Sequence, residues 1–240
     1  GLSEFMDYCL YSNLESILIQ LGVKECLLPE NADSKDPEFE KVKHVIDRCD
    51  VVITEFKSSE FNVKNVEQDL VTLTGNELVL STNEMSSLQL AQSCANALVS
   101  YLSLLSDDSN RGALSIGKYN LEQFMKLDYA AVRALNLFPP PNFNNSMNKT
   151  SSLFGLLNNC KTAGGTRLLS QWIKQPLVDV NEINKRHMLV KFFFDDMNLR
   201  TSLQNDFLSG VPDMAKLLKK ISSKRNRMAR LDDVICLYQM

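Results

Sequence analysis

The stretch Pro139–Ser152, "PPPNFNNSMNKTSS", constrains this chain more than any other. Three prolines fix φ and remove backbone donors, four asparagines favour turns, and a single lysine is its only charge. Such a segment buries almost no apolar surface, so residues 139–151 read as a flexible loop or linker. The hydrophobic pattern changes across it. Before it, helical and strand-like segments alternate; after it, the periodicity is helical throughout.

Upstream, Ser12 followed by Glu15 has capping-box spacing, and "SNLESILIQLG" carries apolar residues at helical intervals until Gly22 stops it. "KECLLPE" predicts a short strand. Asp36-Pro37 opens "EFEKVKHVIDRC", with proline suited to a first helical turn. "DVVITEF" is β-branched and apolar and reads as a buried strand; "VKNVEQDLVTLTG" reads as another short helix. "SLQLAQSCANALVSYLSLLS" predicts the longest helix, with Ala91, Ala95, Leu98, Leu102 and Leu105 along its stripe. After the turn "DDSNRG" come a strand candidate, "ALSIGKY", and the bridging stretch "LEQFMKLDYAAVRALNLF". Helices alternating with strands imply an α/β unit.

Beyond Ser152 helix follows helix. Leu153, Leu156, Leu157 and Cys160 share a face. Thr162 can cap the next helix, in which Leu168, Leu169, Trp172 and Ile173 fall within about 140° of arc before Pro176 ends it. Asp179 and Glu182 have cap spacing for "NEINKRHMLVKFFF", whose stripe is Ile183, His187, Val190 and Phe194. Leu199, Leu203 and Phe207 line a helix that Gly210 closes. Pro212 opens another, with Met214, Leu217, Leu218 and Ile221 at i, i+3, i+4, i+7. The expected fold class is α/β plus all-α, without an internal repeat.

Charge follows the same division. Residues 1–150 hold 12 basic and 21 acidic side chains, and residues 151–240 hold 14 and 8, within a net charge of −3. Two units with different surroundings account for such a split. No apolar run approaches the roughly 18 residues of a membrane span, and the amino end has no signal-peptide pattern. Six scattered cysteines form no C-x-x-C pair; most read as small buried hydrophobes, as in "SCANAL", and fit a reducing cytosolic or nuclear compartment. Asn144 and Asn148 match the glycosylation pattern by chance alone. A chain that starts at Gly1 and stops inside the helical pattern "LDDVICLYQM" reads as a piece of something longer.

A search for reactive constellations returns little. No glycine precedes Lys-Ser or Lys-Thr at phosphate-loop spacing, and Gly164-Gly165 lacks both the lysine and a preceding strand, so close packing is its reading. His187 has no nucleophile or acid at interpretable spacing and reads as a core or half-buried histidine. His44 and Cys49, five residues apart, share no helical face and make a poor metal pair. Asp47, Asp50 and Glu55 around "DVVITE" are the acids a magnesium nuclease would need, although acids at a helix–strand junction are routine. Met214–Leu231 carries Lys216, Lys219, Lys220, Lys224, Arg225, Arg227 and Arg230 and no acid. Such a run can neutralise nucleic-acid phosphates, but it holds no aromatic residue for base stacking, and a solvated helix face is its plainer reading.

Several stretches are more specific than their chemistry. "LDYAAVRALNLF", "SSLFGLLNNCKTAGGTRLLSQWIKQPL" and "VNEINKRHMLVKFFF" resemble the MutS family of DNA mismatch-repair proteins, and "SNLESILIQLGVKECLLPE", "VIDRC" and "MKLDYAAVRALNLF" point to its eukaryotic branch. The resemblance runs from about Gly1 to Met240. It implies that residues 1–118 are the later part of an RNase H-like connector domain and that residues 119–240 begin a helical lever, or core, domain. It further implies that the amino-terminal domain, DNA clamp and carboxy-terminal ATPase lie outside this segment.

On that resemblance the segment is a non-catalytic, allosteric scaffold with no cofactor of its own, and Mg-ATP belongs to a nuclear, DNA-dependent ATPase parent. The implied partners are a second MutS-homologue subunit, a MutL-type heterodimer docking on the connector, and mismatched duplex DNA; no membrane is involved. Lys161–Leu177 becomes a strut: Thr162 caps it, Gly164 and Gly165 permit close contact, and Leu168, Leu169, Trp172 and Ile173 anchor it. Lys216, Lys219, Lys220, Lys224 and Arg225 are candidate phosphate or partner contacts. A stand-alone basic DNA-binding module using residues 216–230 is the alternative.

Overall fold

The computed structural model describes residues 1–8, 10–30, 36–64, 66–75, 87–139, 149–222 and 230–238. They divide into two compact units, Gly1–Tyr129 and Ala130–Met240. Asn144, Asn148 and most of the 139–151 loop lie outside the described residues, and Lys149–Ser151 forms one 3-10 turn.

Among the described residues the first unit is an α/β arrangement with a two-stranded sheet. Helix α1 (Ser12–Leu21) precedes β1 (Glu25–Pro29); α2 (Pro37–Arg48) leads to β2 (Val52–Phe56), which pairs parallel with β1 in the register Glu25↔Val52 to Pro29↔Phe56. A parallel pair cannot close with a tight turn, so α2 is the crossover. Asp36 caps α2 by accepting the Glu38 N–H at 2.9 Å, with Pro37 in the first turn. Gly22 ends α1 at φ 61°, a left-handed position where a Cβ is costly. Leu18, Ile46 and Val51 form a buried cluster beneath α1 and α2, joined by half-buried Leu14, Val42 and Ile53. A second cluster gathers Val66, Leu70 and Leu73 of α3 (Val66–Thr74) and Val99 of α4 (Gln89–Tyr101).

Four expectations are corrected here. Ser12 makes no side-chain cap; Tyr11 sits at φ 51°, and Asp7 reaches in from five residues upstream to accept the N–H groups of Asn13 and Leu14 at 3.2 and 2.8 Å. Glu15, released from the capping box, turns inward and is 5% exposed. Helix α4 stops at Tyr101, because Ser103 turns left-handed, and its leucines Leu98, Leu102 and Leu105 remain exposed. Asn96 donates to the Glu60 carbonyl at 2.9 Å and Tyr101 Oη to Glu25 at 2.7 Å, and these bonds turn Ala97 and Val99 inward instead. Among the described residues "ALSIGKY" forms one bridge, Leu2↔Lys118, and the Gly112 and Leu114 N–H groups are taken by carbonyls at the end of α3. The strand at "DVVITEF" is half-buried rather than buried: Val51 precedes it at 5% exposure, and Val52 within it is 64% exposed.

The second unit is helical. It runs α5 (Tyr129–Ala134), α6 (Leu153–Leu157), α7 (Ala163–Lys174), α8 (Val180–Asp195), α9 (Met197–Ser202), α10 (Met214–Ser222) and α11 (Leu231–Tyr238), with α5 starting at the last residue of the first unit. After α9 the chain passes through a π turn at Leu203–Phe207 and a 3-10 turn at Leu208–Gly210. Ser152, Thr162 and Asp179 cap α6, α7 and α8 by accepting the N–H groups of Gly155, Gly165 and Asn181. Leu137 and Leu217 are the fully buried apolar residues among those described in this unit. The stripe expected on α8 faces outward, with Val190 and Phe194 at 61% and 73% exposure. His187 is likewise exposed, contrary to its reading as a core or half-buried residue.

Candidate functional site

The best-defined constellation lies around α7. Arg167, on its outer face, forms two parallel bonds with Asp213: Nη1 to Oδ2 and Nη2 to Oδ1, each 2.8 Å. This is the fork geometry in which a guanidinium matches a carboxylate, charge-assisted and directional. Asp213 also receives the backbone N–H of Lys216 and so caps the start of α10. Lys216 Nζ stands 3.9 Å from the same carboxylate. One acid therefore ties α7 to α10, although 46 residues separate it from Arg167.

Further along α7, the Arg186 guanidinium of α8 lies 4.1 Å from the centre of the Trp172 ring. The indole face offers negative potential, and the planar cation stacks on it. Lys174, at the end of α7, stands 5.3 Å over the Phe138 ring, which packs on Phe154 of α6 at 5.6 Å. Buried Gln175 follows, its side-chain oxygen accepting from Gln171 at 3.0 Å, and Pro176 prevents continuation. One 12-residue rod is thus held by side chains to α8, to the start of α10 and to Phe138 beyond α5.

Of the residues singled out in the sequence, Thr162 holds the Gly165 N–H at 3.0 Å. Leu169, Trp172 and Ile173 are half-buried, and Leu168 is 49% exposed. The two glycines differ. A Cβ on Gly165 would stand 3.1 Å from Thr162 Oγ1 and 3.4 Å from Cys160 Cβ, so the helix's own entry turn demands a small residue there. Gly164 has no described neighbour within 4 Å of such a Cβ, so close contact with another helix does not explain it.

The basic run is less free than its composition suggests. Lys220 Nζ pairs with Asp233 at 3.0 Å and Lys216 approaches Asp213, acids that flank or follow the run. Lys219 is exposed on α10, and Lys224 and Arg225 lie outside the described residues. Sequence reading passed over Arg167, Arg186 and Asp213. Asp213 did carry a signal, because Pro-Asp directly before an apolar helical run is cap chemistry.

Among the described residues no three His, Cys, Asp or Glu side chains are placed to hold a metal. Glu55 approaches Lys43 at 3.9 Å, and Asp47 and Asp50 are exposed at the end of α2. The Cys49 thiol is pushed up to about 11, mainly by burial and then by nearby Glu15, which makes it a poor nucleophile. Cys94 is exposed rather than a buried hydrophobe. No described helix is long and apolar enough to cross a membrane.

The clamp carries a pH signature. Hydrogen bonding from Arg167 holds the Asp213 carboxyl at about 2, below its ordinary 3.8. A carboxyl depressed by folding contributes stability above its unfolded value and loses it as pH falls through the folded one. Thermal unfolding of the chain beside Asp213→Asn should therefore show a gap at neutral pH that closes between about pH 4 and 2. A gap unchanged over that window would mean that the pair adds nothing to the fold.

Comparison with known proteins covers both units. The profile of MutS domain II matches residues 1–115 and that of MutS domain III matches residues 130–240. Among curated relatives, the DNA mismatch repair protein msh-2 of Neurospora crassa is 46% identical over 242 residues, covering 100% of this chain and 25% of the relative. MSH2 of Saccharomyces cerevisiae is 45% identical over 257 residues, with 100% and 26% covered, and MSH2 of Arabidopsis thaliana is 40% identical over 240, with 100% and 25% covered. The chain spans about a quarter of the length of these relatives.

Proposed function

This chain belongs to the MutS family of DNA mismatch-repair proteins, on its MSH2 branch, and we propose that it serves repair as a non-catalytic scaffold that transmits conformational change. On this reading the first unit is part of an RNase H-like connector and the second begins a helical lever. The lever carries displacement between a nucleotide site and a DNA grip in the full protein. The parent is a nuclear, DNA-dependent ATPase that pairs with a second MutS-homologue subunit and closes on mismatched duplex DNA. The acidic first unit offers a docking surface to a MutL-type heterodimer.

The observation that supports this reading best is the clamped rod α7. Displacement passes between distant sites through packed elements that move together, and such elements need directional contacts more than reactive groups. Arg167–Asp213 and Trp172–Arg186 are contacts of that kind. The residues here do not suit Mg-ATP itself: Gly164-Gly165 has no following Lys-Ser or Lys-Thr, and the described acids do not converge.

Arg167→Ala in the full-length protein tests the proposal. Mismatch affinity without nucleotide and basal ATP hydrolysis should stay within about twofold, while ATP-triggered release from mismatched duplex weakens about 2- to 30-fold, the range for residues that modulate coupling without touching either ligand. Unchanged ATP-triggered release would remove the transmitting role. Salt-steep duplex binding by the 240-residue chain alone would favour the basic DNA-binding module in its place.

A further inference from the structure

Helix α1 has a buried polar face. Glu15, Ser16 and Gln20 are 5%, 2% and 4% exposed, beside Leu18 at 6%. All three bind the backbone of residues 125–129, the segment that ends on the first residue of α5. Gln20 Nε2 donates to the Met125 carbonyl at 3.1 Å, the Leu127 N–H donates to Ser16 Oγ at 3.2 Å, and the Tyr129 N–H donates to Glu15 Oε1 at 3.1 Å. The bonded groups fall on every second residue, 125, 127 and 129, so one side of the segment meets the helix. The holding side chains are held in turn: Gln20 Nε2 reaches Ser16 Oγ at 3.1 Å, and Arg48 Nη2 donates to Glu15 Oε2 at 2.9 Å.

The strap itself buries little. Met125 is 54% exposed, Lys126 and Asp128 are exposed, and Leu127 and Tyr129 are half-buried. Neither apolar cluster of the first unit draws a residue from it.

We propose that residues 125–129 form a releasable strap, latched to α1 by Glu15, Ser16 and Gln20, which lets go as one piece while both apolar cores stay closed. Linked hydrogen bonds reinforce one another, because each fixes the peptide that makes the next. When the strap lifts, its peptide groups pass to water and the apolar surface uncovered is that of half-buried Leu127 and Tyr129 and not of either core cluster. Openings of that kind lie at the low end of the free energies sampled by a native protein. The strap ends at Tyr129, where the first compact unit ends, so release puts slack into the chain there. On the transmitting role above, on which this consequence alone rests, a latched strap passes displacement to α1 and through Arg48 to α2. A released strap does not.

Native-state hydrogen exchange on the 240-residue chain at low denaturant tests the latch. The Leu127 and Tyr129 amides should share one rate, nearly independent of denaturant, while the amides of Ile46 and Leu70 follow the steep slope of unfolding. Glu15→Ala should speed both strap amides by about 10- to 100-fold. Leu127 is included although its own acceptor, Ser16, is untouched. Glu15→Gln, which keeps an oxygen for Tyr129, should restore most of the protection. If Glu15→Ala does not fold, Ser16→Ala should speed Tyr129 in the same way. Strap amides that share the core's denaturant slope, or that respond one at a time, would overturn the proposal. None of these readouts involves ATP or DNA, so the latch and the transmitting role can fail separately.

Discussion

Replacing Trp172 with alanine is expected to cost the helical unit about 3 kcal/mol, within the range for removing a large aromatic from a packed site. The unit has little to offset it, since Leu137 and Leu217 are its fully buried apolar residues among those described. Half-buried contacts therefore carry much of its stability, and the indole is the largest of them. Part of the loss belongs to Arg186, whose guanidinium lies 4.1 Å from the ring centre. A partly exposed cation–π contact is worth about 0.5–1 kcal/mol. Arg186→Ala should thus cost far less than Trp172→Ala, and the double variant should fall short of their sum. Circular dichroism under urea reads all three variants; tryptophan fluorescence serves for Arg186→Ala, because Trp172 is the chain's one tryptophan. Equal losses for Trp172→Ala and Arg186→Ala would mean that the ring contributes charge stacking and hardly any packing.

Ile46→Ala should be as damaging in the first unit, at about 3–4 kcal/mol. Ile46 is 1% exposed, between Leu18 of α1 and Val51 at the entry to β2. Leu18, Val51 and half-buried neighbours such as Val42 and Ile53 pack around it, so truncation leaves a void inside a filled cluster. The denaturation midpoint should fall without a change in slope. Val52→Ala, six residues on and 64% exposed, is the control and should move stability by less than about 0.5 kcal/mol. Similar midpoints for the two variants would show that the α1–α2–β2 cluster does not hold the unit together.

Local chemistry was readable in the chain wherever one turn of backbone settles it. Asp36-Pro37, Gly22, Thr162 and Asp179 start or stop helices at the expected places, because cap and helix lie within a few residues of each other. Strands β1 and β2 fall where strands were expected, the second of them from its β-branched run. Faces were harder. The leucine stripe of α4 failed because periodicity counts apolar residues and is blind to Asn96 and Tyr101, whose bonds to Glu60 and Glu25 orient the helix. Glu15 matched a capping box in spacing alone. Asp7 had already taken the helix N-terminus, and Glu15 turned inward, where it accepts from the Arg48 guanidinium and the Tyr129 N–H. The clamp on α7 was half legible: its rod and cap were, its partners were not.

By itself the chain determined the division into an α/β part and a helical part, most helix ends and the family, since these rest on short-range periodicity and on ordered runs of residues. Tertiary structure decided which acid meets which base. Arg167 and Asp213, like Glu15 and Arg48, are far apart in the chain, and hydrogen bonds act over about 3 Å of space whatever the sequence separation.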